Sequence, residues 1–353
     1  MRCGWNVAAC VFVSLVLLVC AACQSENRAQ VPTLKVMAHD SFKASDRFVR
    51  DFERTHACRL VILKAGDAGA VLNQALLTKN NPMADVLFGV DNTFMGRAVD
   101  GGIFEPYASP LLAEIPDELE LDASHRLLPV DYGDVCLNYD RSWFSGRSLE
   151  PPARLEDLAK PAYRNLLVVE NPATSSPGLA FLLTTIGAFG EDGFRRYWKA
   201  LRDNGVLVTS GWEEAYWGQF TAAASKGTRP VVVSYATSPA AEVFFSKTPI
   251  DTPPTVAVTS PKTAFRQIEF VGILKGSHSP SLARSFVDAV LSKEFQEEIP
   301  LSMFMFPANS TARLPEVFRK HARLAEAPVM LDARTISARR EAWIEAWTEV
   351  VLR

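Results

Sequence analysis

Cysteine is scarce in this chain: there are six in 353 residues, and Cys3, Cys10 and Cys20 all fall in the first 20 positions. The other three, Cys23, Cys58 and Cys136, are isolated from one another. The five histidines, His39, His56, His125, His278 and His321, form no His-x-x-x-His or His-Glu-x-x-His pattern. A dedicated zinc or catalytic metal site is therefore not expected. The phosphate loop Gly-x-x-x-x-Gly-Lys-Ser/Thr and the dinucleotide fingerprint Gly-x-Gly-x-x-Gly are absent, as is the nucleophile elbow Gly-x-Ser-x-Gly. Those absences count against P-loop, dinucleotide-binding and serine-hydrolase chemistry. Positive charge is not in excess, since the net charge is −3. A nucleic-acid binder that relies on global positive charge is excluded. No apolar run reaches the roughly 18 residues that a membrane-spanning helix needs. Apolar residues at 48% and charged residues at 22% describe an ordinary globular chain rather than a disordered one. At roughly 100–200 residues per domain, two domains or one large one are expected.

The N-terminus has the features of an export signal. Arg2 precedes Val11–Ala22, an uncharged apolar stretch of 12 residues. That is too short to span a membrane but suits the core of a signal peptide covering residues 1–22. Ala21-Ala22-Cys23 resembles a bacterial lipobox, with Cys20 where Leu or Val is usual, so Cys23 is the expected lipidation site; a plain secretory signal cut nearby is the alternative. The Cys20-x-x-Cys23 spacing lies inside the targeting stretch and is not a redox motif. Residues 24–32 are polar and aperiodic, as a flexible tether would be. With Cys23 lipidated, Cys58 and Cys136 are left as a candidate disulfide in an oxidising compartment.

The body alternates strand and helix patterns. Strands are expected at Leu34–Ala38, Arg59–Leu63, Ala84–Val90, Leu127–Tyr139, Asn165–Glu170, Gly205–Thr209, Pro230–Ser234 and Phe265–Leu274. Helices are expected at Ser45–Arg54, Val71–Leu77, Phe194–Leu201, from Trp212, and at Ser281–Ile299 and Ser337–Leu352. This alternation implies α/β units with parallel sheets, followed by C-terminal helices. Ligands of open α/β sheets bind beyond the carboxyl ends of the strands. His39-Asp40-Ser41, Asp91-Asn92, Thr174-Ser175-Ser176 and Ser234-Tyr235 all follow expected strands.

Thr174-Ser175-Ser176-Pro177-Gly178 suits a helix start, with hydroxyls at the cap and Pro in the first turn. Such an end offers N–H groups to an anion, although ordinary capping accounts for the same residues. Trp212 has an indole N–H to donate and a face that can hold a cation, and a core Trp would look the same. Tyr235 ends a Val-Val-Val-Ser strand, and Asp67 lies in a Gly-rich turn.

At these residues the chain resembles the thiamine-binding periplasmic proteins of bacterial ABC importers. The resemblance spans about Leu34 to Arg353. It is carried by Asp40-Ser-Phe42, Val71-Leu-Asn73, Ala84-Asp-Val86 with Gly89-Val-Asp-Asn92, Val130-Asp-Tyr-Gly133, Asn171–Leu179, Gly211–Tyr216, Ser234–Pro239 and Glu341–Trp347. It implies a two-lobed type II periplasmic-binding fold with crossover strands at the hinge. Lobe 1 would comprise residues 33–129 plus about 270–353, and lobe 2 residues 130–269. Thiamine or a phosphorylated form would bind between them as cargo, with no cofactor, and a monomer would hand it to a permease and its ATPase.

The resemblance also implies roles. Asp67 matches a carboxylate near the cation, and Ser175, flanked by Thr174 and Ser176, a hydroxyl at the hydroxyethyl or phosphate end. Trp212 and Tyr235 match aromatic wall residues. Ala68 stands where Gly is seen, with its N–H still available. His39 stands at a Tyr position, Phe304 at a Trp position and Ala241 at another aromatic position. Other readings are a polyamine bound by Asp67, Asp91 and Asp131, or a thiamine-cleaving enzyme with Cys136 as nucleophile. A ferric site is disfavoured, because it would use paired tyrosines.

Overall fold

The structure is a computed structural model, described over residues 31–329, 331 and 333–353. The expected signal peptide, Cys23 and all but the last two residues of the tether lie outside the described residues. Among those described, no helix is long and apolar enough to cross a membrane.

Strands form where short runs of β-branched and other apolar residues meet loops. They are β1 (Thr33–Ala38), β2 (Arg59–Lys64), β3 (Val86–Asp91), β4 (Phe104–Glu105), β5 (Leu128–Asp140), β6 (Leu167–Glu170), β7 (Leu207–Thr209), β8 (Val231–Tyr235), β9 (Thr255–Val258), β10 (Ala264–Leu274) and β11 (Phe306–Pro307). The sheet order is β2-β1-β3-β10-β5-β8-β6-β7. Its two ends are parallel: β1 pairs with β2 and β3, and β6 pairs with β7 and β8. Between them run the long strands β5 and β10, antiparallel to each other and to their outer neighbours. The chain thus builds one α/β half, crosses on β5, builds a second, and returns on β10. Val231, Val232 and Val233 are fully buried, as expected of an interior strand of an α/β sheet covered on both faces.

Local chemistry sets the helix limits. Ser45 accepts from the Phe48 N–H and caps Asp46–His56. The two helical stretches expected after Asn171 are one element, Ser176–Asp203, with a kink at Gly190. Gly190 has φ 73°, open to glycine at little cost. The helix expected over Ser281–Ile299 is broken into Pro280–Leu291 and Lys293–Gln296, because Ser292 leaves helical geometry to cap the second piece. The last helix, Ala333–Val351, touches both halves: Arg340 lies over Phe94, 4.4 Å from the ring centroid, and Trp347 packs edge-on against Trp198.

Cys58 and Cys136 do not pair; both are free and buried. Cys58 precedes β2 at one edge of the sheet and Cys136 sits in β5, four strands away. At about 4.8 Å per strand that is roughly 19 Å, well beyond disulfide reach.

Candidate functional site

A cavity of about 700 Å³ opens where the two parallel halves face each other, within the usual roughly 300–1,000 Å³ range of small-molecule sites. Of the residues expected from the sequence, His39, Asp67, Ala68, Thr174, Ser176, Trp212, Tyr235 and Phe304 line it, as does Ala241. Ser175 does not. It is fully buried, and its hydroxyl accepts from the Gly178 N–H, capping its own helix.

Asp67 caps the helix Ala68–Leu77. One carboxylate oxygen accepts from the Ala68 N–H at 2.7 Å, and the other from the Trp212 N–H at 3.1 Å. The second bond spans the two halves. The Ala68 N–H is thus taken by Asp67 rather than free for a ligand. A further cross-cleft bond runs from the Gly69 N–H to the Thr174 carbonyl at 3.1 Å. Glycine is needed at 211 for this approach, since a Cβ there would lie 2.9 Å from Asp67 Oδ2. The Ser41 hydroxyl donates to Glu213 at 3.1 Å, a third tie.

The aromatic wall is self-supporting. Trp212 stacks on Tyr216, with centroids 4.9 Å apart and planes 22° apart, and meets Tyr235 edge-on at 6.4 Å. Its Nε1–H donates to the Ser234 hydroxyl at 2.9 Å, which leaves the ring face for a ligand. The helix expected from Trp212 is a π-helical turn, Glu214–Gln219, a form often found at functional sites. The Tyr235 hydroxyl donates to Gln267 at 3.4 Å. Phe304 packs edge-on to Phe245 and adopts φ 58°, a left-handed backbone that non-glycine residues rarely take.

Two acids that sequence reasoning missed also line the cavity. Glu269 on β10 sits 3.4 Å from His39 Nε2. Burial opposes charging of His39, but Glu269 outweighs it, and the imidazole pKa is raised. Glu242, in the helix Ser238–Phe245, accepts from the Tyr216 hydroxyl and from the N–H and hydroxyl of Thr255. Burial pushes its carboxyl up to about 7 against those bonds. Neither acid belongs to a motif. For Glu242 the signal available was a charged residue in the mostly apolar helix Ser238–Phe245, and for Glu269 an acid between Ile268 and Phe270 in a strand that also carries Arg266 and Gln267.

The structure corrects the other two site readings. Asp91 and Asp131 are fully buried in β3 and β5 and do not line the cavity with Asp67. They align instead with Glu269 across the three central strands, Asp91 opposite Glu269 and Glu269 opposite Asp131. Cys136 is fully buried, and burial raises its thiol pKa, the reverse of what a nucleophile needs.

The profile of the family described as "Bacterial extracellular solute-binding protein" matches residues 81–324. The thiamine-binding periplasmic protein of Escherichia coli K12 is 31% identical over 91% of this chain and 94% of its own length. Its counterpart from Salmonella typhimurium is 30% identical over 96% and 98%. A solved periplasmic thiamin binding protein matches with a TM-score of 0.80 at 28% identity, covering 92% of this chain and 97% of that one. At 21% identity, and so for the fold alone, the periplasmic binding protein AfuA from Actinobacillus pleuropneumoniae matches with a TM-score of 0.76 over 92% and 99%. Two α/β halves joined by crossing strands around one cavity are the type II periplasmic-binding fold, and the chain belongs to the bacterial extracellular solute-binding proteins, within the family of thiamine-binding periplasmic proteins.

Proposed function

We propose that this protein captures thiamine in the cleft and delivers it to an ABC permease and, through it, to the permease's ATPase. The observation that carries this reading is the pairing of acids with an open aromatic face in one cavity. Thiamine brings a permanent thiazolium cation, an aminopyrimidine ring and a hydroxyethyl arm. Trp212, Tyr216 and Tyr235 offer faces for the rings, and a cation gains further from such a face. Asp67 and Glu269 offer negative charge. Ser176 and Thr237 contribute to the wall, and each has a buried hydroxyl with no partner in the protein.

Lobe 1 is residues 33–129 plus about 270–353, and lobe 2 is residues 130–269. Ligand touching both favours the closed arrangement, because it binds that arrangement better than the open one. The protein acts as a monomer with no catalytic role. It is exported by residues 1–22 and held to the membrane by lipid on Cys23.

Isothermal titration with thiamine tests the reading. Saturable binding with a raised melting temperature is expected, and no heat at excess thiamine overturns it. Spermidine is the control for a general polycation site, since it has charge but no ring. Equal affinity for spermidine would also sink the thiamine reading.

A further inference from the structure

Six acids line the cavity, and among the described residues His39 is the one basic side chain that joins them. Its imidazole lies against the backbone of β3. A Cβ at position 89 would stand 2.2 Å from His39 Cδ2, and Gly89, at φ 95°, leaves that space open. His39 Nε2 is buried and faces Glu269 Oε2 at 3.4 Å, with no other acceptor among the described residues. That separation exceeds the roughly 2.7–2.9 Å of a charge-assisted hydrogen bond. The pair is held by charge more than by a closed bond. Glu269 also has a second partner. Its Oε1 accepts from the Gln267 amide at 3.2 Å, and the Gln267 carbonyl oxygen accepts from the Tyr235 hydroxyl at 3.4 Å. The carboxylate therefore stays hydrogen-bonded when His39 is neutral.

The charged groups around His39 come from several elements. Glu269 on β10 and Asp67 at the start of the helix Ala68–Leu77 favour its proton, and Lys64 at the end of β2 opposes it. In its own loop, the Asp40 carboxylate accepts from the Gly66 N–H at 3.0 Å, and the Asp40 carbonyl accepts from the Lys64 ammonium at 2.6 Å. Asp91 on β3 and Asp131 on β5 stand in register with Glu269. The protein thus carries a positive charge of its own at the acids that a cationic cargo would use.

We infer that the His39 imidazolium is the resident counter-cation of Asp67 and Glu269, and that capture of thiamine drives its proton off into solvent. The inference rests on the thiamine reading above and deepens it. Two positive charges in one partly enclosed cavity repel each other. The thiazolium charge is permanent, so the imidazolium is the one that can yield. Its N–H bond breaks, the electron pair stays on nitrogen and the proton passes to the buffer. One positive charge leaves as one arrives, and no bond forms to the cargo. Neutral His39 keeps its ring face for the ligand. A tyrosine at this position, as the resemblance implies for relatives, would have no proton to exchange near neutral pH.

The test is calorimetric titration with thiamine near pH 7 in two buffers of different ionisation enthalpy, which counts protons released. About a third of a proton per thiamine is expected, equivalent by linkage to roughly fivefold tighter binding from pH 6 to pH 8. His39→Gln and His39→Tyr should each lose most of that release, the second keeping an aromatic ring in place. Glu242→Gln, which removes the other group of the wall that titrates near neutral pH, should keep more than half of it. The imidazole protons of His39, assigned in NMR spectra by their loss in His39→Gln, should titrate at lower pH in the complex than in the free protein. No proton release with thiamine bound overturns the inference and leaves the thiamine reading standing. So does release undiminished in both His39 variants, release lost wholly in Glu242→Gln, or His39 titrating at the same or higher pH in the complex. If neither His39 variant binds, the NMR titration of the unaltered protein decides. Failure of the unaltered protein to bind thiamine overturns the underlying reading instead.

Discussion

Asp67 and Trp212 face one cavity from opposite halves, and they are held there in different ways. The Trp212 ring is fixed within its own half, by the stack on Tyr216 and the bond to Ser234. The Asp67 carboxylate is fixed half by its own loop and half by an N–H from across the cleft. The aromatic wall is therefore complete within its own half, whereas the acidic wall is completed by closure. Ring recognition should come first and cost little ordering, and charge recognition should come with the lobes brought together.

Substitutions can break this contrast. Trp212→Ala removes the preformed face and should weaken thiamine about 30-fold or more, roughly 2 kcal/mol, by titration calorimetry. Asp67→Asn keeps an oxygen for the Ala68 N–H and removes the charge, so about tenfold weaker binding is expected. If Asp67→Asn proves worse than Trp212→Ala, the order of importance is inverted. Ser175→Ala removes a helix cap and should cost about 1 kcal/mol of unfolding free energy, with affinity changed less than twofold. A large affinity loss would return Ser175 to the ligand. Gly211→Ala places a methyl group against Asp67 and should weaken binding several-fold while leaving the aromatic wall intact. Unchanged affinity would show that the cross-cleft bond is not made in the complex.

A modest effect is expected on pH. Glu242 gains charge as pH rises through about 7, and His39 loses its positive charge above its raised pKa. Both changes make the cavity more negative, so thiamine should bind a few-fold more tightly at pH 8 than at pH 6. The Glu242→Gln variant should flatten that slope, and an opposite slope would contradict the assignment of both groups.

The strand–helix alternation was legible because its signal is local. The strand expected over Leu34–Ala38 is observed as Thr33–Ala38, and that over Pro230–Ser234 as Val231–Tyr235. That Asp67, Trp212 and Tyr235 line one cavity was legible too, for Tyr235 from its place at the end of a strand and for all three from the family resemblance. Glu269 was not, because its meaning comes from its register against β3 and from a neighbour 230 positions away, His39. Ser175 was placed on the right helix start, but it is buried beneath the cavity lining and caps its own helix. Whether a cap hydroxyl turns inward or toward a ligand is decided by packing, and Gly178 leaves it close to its own helix. The kinked helix Ser176–Asp203 was split in the sequence reading because Gly190 interrupts the apolar pattern without ending the element.

The row Asp91–Glu269–Asp131 carries a consequence of its own. Burial lifts Asp91 to about 7 and lifts Asp131 as well, with the neighbouring Glu269 adding to both. Acids that hold protons more firmly when native than when unfolded make the native state lose stability as pH climbs from about 4 through 7. Collapse of the chain in neutral solution must then draw hydrogen ions from its surroundings, so an unbuffered refolding mixture would turn alkaline as the central strands zip together.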